Sequence, residues 1–307
     1  MQVGVTVAEF KLHLKAKGYA AATIASYGKG LAQFRDYLQS RDMDDLRRVT
    51  AKVIEEYRST VMAEPIAAES KALKIRPVKR LFEWLIKSHK LLINPCEGLV
   101  ETCRTRRKIA TVLTVDEVNA LLKQPNLSLR TGIRDRAILE LFYSTGIRLD
   151  ELLGLEVYHI DLADGVLFIR KAKGGRQRAV PMGKTAAAYL KEYLEKIRPY
   201  YARKNPRQRR LFINHFGLAM SKGSIRQMMR TCRLGAGIKK PVSPHTLRRS
   251  CATHMLQNGA DIRYIQKLLG HKELKTTQQY TKVVPVDLKK THVATHPGNK
   301  KKKDEDH

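Results

Sequence analysis

The chain has 307 residues, a length that suits about two domains of ordinary size. Its 43% hydrophobic content suffices for packed cores, while 59 Lys and Arg against 29 Asp and Glu leave a formal charge of +30. Such an excess attracts a polyanion, whether DNA, RNA or an anionic membrane. No stretch approaches the roughly 18 uncharged apolar residues of a spanning helix. Met1 to Phe10 lacks the basic region and apolar run of a secretion signal, so the expected compartment is the cytoplasm. Cys96, Cys103, Cys232 and Cys251 form no C-x-x-C pair; buried or incidental thiols are expected rather than a zinc site or a disulfide framework.

The first hundred residues read as helical throughout. Thr6 with Glu9 makes a capping-box pattern ahead of Phe10, Leu12 and Leu14. Ile24, Tyr27, Leu31, Phe34 and Leu38 recur at intervals of three and four, which marks one helix face. Two further helices are predicted to start near Thr50 and Ser70. The second carries Val78, Leu81, Phe82, Trp84 and Leu85 and is expected to end before Asn94-Pro95. Stripes of this kind are core. Glu101 to Ala110, including the basic run C-R-T-R-R-K-I-A, reads as a linker between domains.

A new helix is predicted from Thr114, with a second capping box through Glu117. Asp135 to Ser144 reads as a buried helix with Gly146 as its C-terminal cap, and a short helix from Arg148 to Leu153 follows. Between Leu155 and Met182 the period changes. Val166, Phe168 and Ile169 form one strand-like run and Ala179-Val180-Pro181 another, with turn signals at Asp164-Gly165 and Gly174-Gly175. A small antiparallel sheet within a helical domain is therefore expected. Helices resume near Thr185, and Pro244, Gly259, Gly270 and Pro285 punctuate the remainder. The charge run from Lys300 to His307 reads as a disordered tail.

Four segments hold residues suited to phosphodiester chemistry without a metal. Such chemistry needs fixed cations for the non-bridging oxygens, a nucleophile, and a proton for the leaving oxygen. In T-G-I-R-L-D-E-L, Arg148 sits just past a helix cap at the start of the next helix. Lys173 stands at the hairpin turn beside Gly174-Gly175, where it could reach a leaving oxygen or simply contact DNA backbone. In S-P-H-T-L-R-R, Pro244 suits the first helical position, and His245 and Arg248 share one face near the helix start. Gly270 ends a helix before His271, and Tyr280 lies in the polar segment T-T-Q-Q-Y-T rather than in an apolar stripe. Read singly, each has an ordinary explanation: a solvated Arg, a surface Lys, a structural His, an exposed ring.

Together, in this order and at these intervals, the segments resemble the tyrosine recombinase family, also called the phage integrase family, and especially its compact Xer-like members. The resemblance rests on T-G-I-R-L-D-E-L-L-G-L, H-T-L-R-R-S-C-A-T-H-M-L and I-Q-K-L-L-G-H-K-E-L-K-T-T-Q-Q-Y-T. In the first hundred residues only the helical pattern and the Tyr27–Leu31–Phe34 stripe match. Arg148, His245, Arg248, His271 and Tyr280 fall on the family's catalytic positions. Lys173 falls on its hairpin lysine, with Lys171 close by. Arg249 stands where a His is frequent and Cys251 where an aromatic is common.

The resemblance implies a mainly α fold with a small antiparallel β-sheet in the C-terminal domain. Residues 1–100 would form a helical, SAM-like core DNA-binding domain, 101–110 a basic linker, 111–298 the catalytic domain and 299–307 a disordered tail. It implies a site-specific recombinase or integrase working through a 3′-phosphotyrosine and a Holliday junction, with double-stranded DNA as partner and no cofactor or metal. Tyr280 would attack phosphorus, Arg148 and Arg248 hold the non-bridging oxygens, and Lys173 protonate the leaving oxygen. His245 would act beside the nucleophile, His271 support the phosphate and Glu151 orient Arg148. A homotetramer on DNA is expected, with or without a second recombinase. The rival readings are a transposase, a relaxing topoisomerase of the same chemistry, and a non-catalytic DNA-binding protein.

Overall fold

The computed structural model describes residues 1–101, 111–170 and 177–270. Among these are twelve α-helices and three short strands, in two compact units that lie within Met1–Lys108 and Ile109–His307. No described helix is long and apolar enough to cross a membrane.

The first unit is four helices: α1 (Val3–Ala16), α2 (Ala21–Gln39), α3 (Ala51–Ala63) and α4 (Ala68–Lys87). Leu31, Phe34 and Leu38 of α2 bury the predicted face against Val78, Leu81, Phe82 and Leu85 of α4 in one cluster. Phe34 sits edge-on to Tyr57 of α3, with ring centroids 4.9 Å apart. Helix α3 starts beside Thr50 as expected, and Thr50 caps it, its side chain accepting from the Val53 N–H. The start of α1 departs from the sequence reading. Thr6 is not a cap but an interior, buried residue whose hydroxyl donates to the Gln2 carbonyl at 2.7 Å. The helix begins at Val3 because tertiary contacts hold it there: Val3 is fully buried, and the Met1 ammonium pairs with Asp45 at 2.8 Å. Leu12 points to solvent, and Val3, Thr6, Phe10 and Leu14 form the buried face instead. The last helix stops at Lys87, seven residues before Asn94.

The second unit is built around α6 (Arg130–Thr145), five residues longer at its start than predicted. Ala137, Ile138, Leu139, Leu141 and Phe142 are all fully buried in it. Short α5 (Val115–Leu122) precedes it, opened by the Thr114–Glu117 capping box with both reciprocal hydrogen bonds present. Then α7 (Leu149–Gly154) leads into an antiparallel sheet in the order β1 (Ile160–Asp161), β2 (Val166–Ile169), β3 (Arg178–Pro181). Leu167, Ile169 and Val180 face the core. Phe168, expected in the apolar run, faces outward because side chains alternate along a strand. β1 was not anticipated; two residues are too few for a period to register. The Gly174-Gly175 turn lies outside the described residues.

Beyond the sheet, α8 (Lys184–Glu192) passes through a wider helical turn, Tyr193–Ile197, into α9 (Arg198–Ala202). Then follow α10 (Lys222–Gly235), α11 (Pro244–Gln257) and α12 (Ile262–Leu269). Helix α11 packs on α6 and α12, which brings the widely separated motif segments together. Cys96, Cys232 and Cys251 are buried free thiols.

Candidate active site

The segment T-G-I-R works as a unit. Gly146 caps α6 in the left-handed region at φ 59°, and a Cβ there would stand 2.8 Å from Leu269 Cδ2. Both conditions call for glycine. Its carbonyl accepts from Arg248 Nη1 at 2.6 Å. Two residues on, Arg148 is the N-cap of α7. Glu151, one turn in, returns to it: Oε2 accepts from the Arg148 backbone N–H and Oε1 from Arg148 Nη1, each at 2.9 Å. The Arg148 side chain keeps about a quarter of its surface in solvent (27%).

Ser243 caps α11, its Oγ accepting from the Thr246 N–H at 3.2 Å, and Pro244 takes the first helical position as predicted. His245 therefore lies in the first turn and remains solvent-accessible, while Arg248, one turn further, is buried. Arg248 Nη2 donates to the Leu269 carbonyl at 2.6 Å. The two family arginines thus converge on α12: Arg148 Nη2 also reaches the Gly270 carbonyl, at 3.4 Å.

Sequence reasoning passed over Arg178 on β3. Its Nη1 and Nη2 donate to Glu151 Oε1 and Oε2 at 3.0 and 2.9 Å, and its Nε to the Leu268 carbonyl at 3.0 Å. The only hint was its place in K-G-G-R-Q-R-A-V-P, where Arg176 stands beside it with equal claim. Two guanidiniums, Arg148 and Arg178, thus share the Glu151 carboxylate, while Arg248 is held by the Gly146 and Leu269 carbonyls. Burial opposes the charged form of Glu151 and is the largest single influence. The hydrogen bonds and charges of Arg178 and Arg148 together outweigh it, so the carboxyl titrates below the usual range. Partial burial of the ring, then Arg248, Arg249, Arg148 and Arg226, push His245 below the ordinary imidazole value.

The structure thus gathers Arg148, His245 and Arg248. Lys173, His271 and Tyr280 lie outside the described residues. What is gathered can hold a doubly coordinated phosphate next to an imidazole, through charge-assisted bonds of the strong class.

The pattern of the phage integrase family matches residues 111–285, and that of the phage integrase N-terminal SAM-like domain matches residues 7–89. The chain belongs to the phage integrase family. It is 35% identical over 282 residues to the tyrosine recombinase XerD of Staphylococcus epidermidis, covering 92% of this chain and 94% of that protein. Its fold is shared with the XerH site-specific recombinase bound to its difH substrate before cleavage (TM-score 0.70, 23% identity, 87% of this chain and 79% of that one). The lambda integrase tetramer bound to a Holliday junction is also similar (TM-score 0.72, 21% identity, 91% and 77%). The recombinase is accordingly a DNA strand-transferring enzyme, with the mainly helical fold and small sheet that the sequence led us to expect.

Proposed function

We propose that this recombinase cuts and rejoins double-stranded DNA with Tyr280 as nucleophile. The observation that carries the reading is the convergence of the Arg148 and Arg248 guanidiniums on the end of α12, with His245 in the first turn of the helix that carries Arg248. The Tyr280 oxygen forms a bond to phosphorus as the bond to the 5′-oxygen breaks, leaving a 3′-phosphotyrosine. Arg148 and Arg248 hold the non-bridging oxygens and stabilise their growing charge. The phenolic proton passes to His245, the departing 5′-oxygen takes a proton from Lys173, and His271 supports the phosphate. Rejoining reverses the sequence with another strand's 5′-hydroxyl, so the bond energy is conserved and neither cofactor nor metal takes part.

In this reading residues 1–100 are the core DNA-binding domain, 101–110 a basic linker, 111–298 the catalytic domain and 299–307 a tail. The enzyme acts in the cytoplasm as a homotetramer on two DNA sites, through a Holliday junction. The lambda integrase complex of similar fold supports that assembly, and the formal charge of +30 supports the polyanionic partner.

A nicked suicide substrate, which loses its 5′-hydroxyl fragment after cleavage, tests the chemistry. The protein should be trapped as a DNA adduct, and Tyr280→Phe should leave none. An adduct that persists in the Phe variant overturns the assignment.

A further inference from the structure

Helix α12 ends with the carbonyls of Leu268, Leu269 and Gly270, which a helix C-terminus leaves without intrahelical partners and at the negative pole of its dipole. Each of the three is taken by a different arginine. Arg178 donates to Leu268, Arg248 to Leu269 and Arg148 to Gly270. These arginines come from β3, α11 and the cap of α7, so one helix end gathers three separate elements. Gly270 caps α12 at φ 63°, and a Cβ there would lie 3.1 Å from Arg178 Nη1, so the guanidinium packs flat against the helix end.

We propose that Arg178 is a positioning residue of the cleavage reaction, acting on the scissile phosphate through Glu151 and Arg148. This rests on the phosphate-holding role of Arg148 given above. Glu151 is almost wholly buried, with 3% of its side chain exposed, and both its oxygens are shared between the two arginines. The Arg178 fork fixes the plane of that carboxylate. The carboxylate in turn fixes both the backbone and the guanidinium of Arg148. Two guanidiniums aimed at one phosphate repel each other before DNA arrives. Glu151 and the α12 carbonyls offset that repulsion, and Arg178 ties them into one rigid body. A lysine offers a point charge without the fork and cannot serve both Glu151 and Leu268 in the same way.

Arg178 also pairs with Ile169 in the ladder and stands five residues after Lys173 in the predicted hairpin. A role through that hairpin is the competing explanation, and substrate chemistry separates the two. Single-turnover cleavage is measured on three duplexes: one normal, one with a methylphosphonate at the scissile position, one with sulfur as the bridging 5′ atom. The methylphosphonate removes a non-bridging charge, and the thiolate leaves without a proton.

Arg178→Met should cleave normal DNA about 10²-fold more slowly at saturation, with Kd within about 3-fold of wild type. That deficit should shrink several-fold on the methylphosphonate, as the Arg148→Ala deficit does, and persist on the sulfur substrate. Arg178→Lys should show the same pattern at smaller size, and stands in if the Met variant does not fold. An equal deficit on all three duplexes would mean a fold role only, and recovery with sulfur would mean a hairpin role; either overturns the proposal. If Arg148→Ala itself cleaves normally, the catalytic reading fails instead; a crippled Arg148→Ala beside a normal Arg178→Met sinks this proposal alone.

Discussion

At Leu113 both polar groups of the backbone are taken by side chains of α11. Ser250 Oγ accepts from its N–H at 2.9 Å, and the His254 ring lies 2.9 Å from its carbonyl through Nε2. A carbonyl requires a donor, so Nε2 carries the hydrogen and Nδ1 accepts from the Tyr143 hydroxyl at 2.9 Å. His254 sits in A-T-H-M-L, one of the segments of family resemblance, yet nothing in the sequence showed its structural task. Burial, the largest cause, lowers its pKa, and the bond to the Leu113 carbonyl opposes this. His254→Ala should destabilise the second unit by about 1–3 kcal/mol, the cost of leaving the buried Leu113 carbonyl without its donor. The pH dependence follows in sign. The native ring stays neutral where the unfolded ring takes a proton, so stability is full above about pH 6.5 and falls on acidification. Urea midpoints at pH 7.5 and 5.5 should differ less in His254→Gln than in wild type. They should not coincide, because His159 and His245 shift in the same direction.

Among elements, caps were the most readable features and helix starts the least. The Thr114–Glu117 box and Pro244 at the first position of α11 stand as local patterns, because each is decided by residues at most three apart. Thr6–Glu9 has the same spelling and caps nothing: burial of Val3 and the Met1–Asp45 ion pair carry α1 past it. Thr114→Ala should cost about 1 kcal/mol in chemical denaturation. Gly146→Ala should cost more, about 1–3 kcal/mol, since it strains a left-handed cap and presses on Leu269. It should also slow cleavage, because the Gly146 carbonyl is an anchor of Arg248. An Ala variant with wild-type cleavage would show that Arg248 holds its place without that anchor.

For the whole molecule, charge is the dominant fact. An excess of 30 positive charges over a chain of 307 residues should make DNA binding fall steeply with salt. If each protomer contacts six to ten phosphates, affinity should drop about 10³–10⁵-fold between 50 and 200 mM salt. A shallow slope in a filter-binding titration would mean that few of these charges meet DNA. The sequence could state this excess but not its distribution. At the site itself one buried carboxylate, Glu151, is spent on organising two of the arginines, Arg148 and Arg178.

The sequence by itself determined the fold class, the family, the buried helix ending at Gly146, and the presence of Arg148, His245 and Arg248 in motifs suited to phosphate chemistry. The helix end is written in local spacing, and the family and the site residues follow from the resemblance of the motifs. Only the tertiary structure decided which groups those side chains meet. Arg178 and Leu268 are 90 residues apart, Arg248 and Gly146 102, and His254 and Leu113 141. Hydrophobic burial of α6, α11 and α12 brings these pairs into contact. Burial is non-directional and leaves no periodic trace of which donor will find which carbonyl.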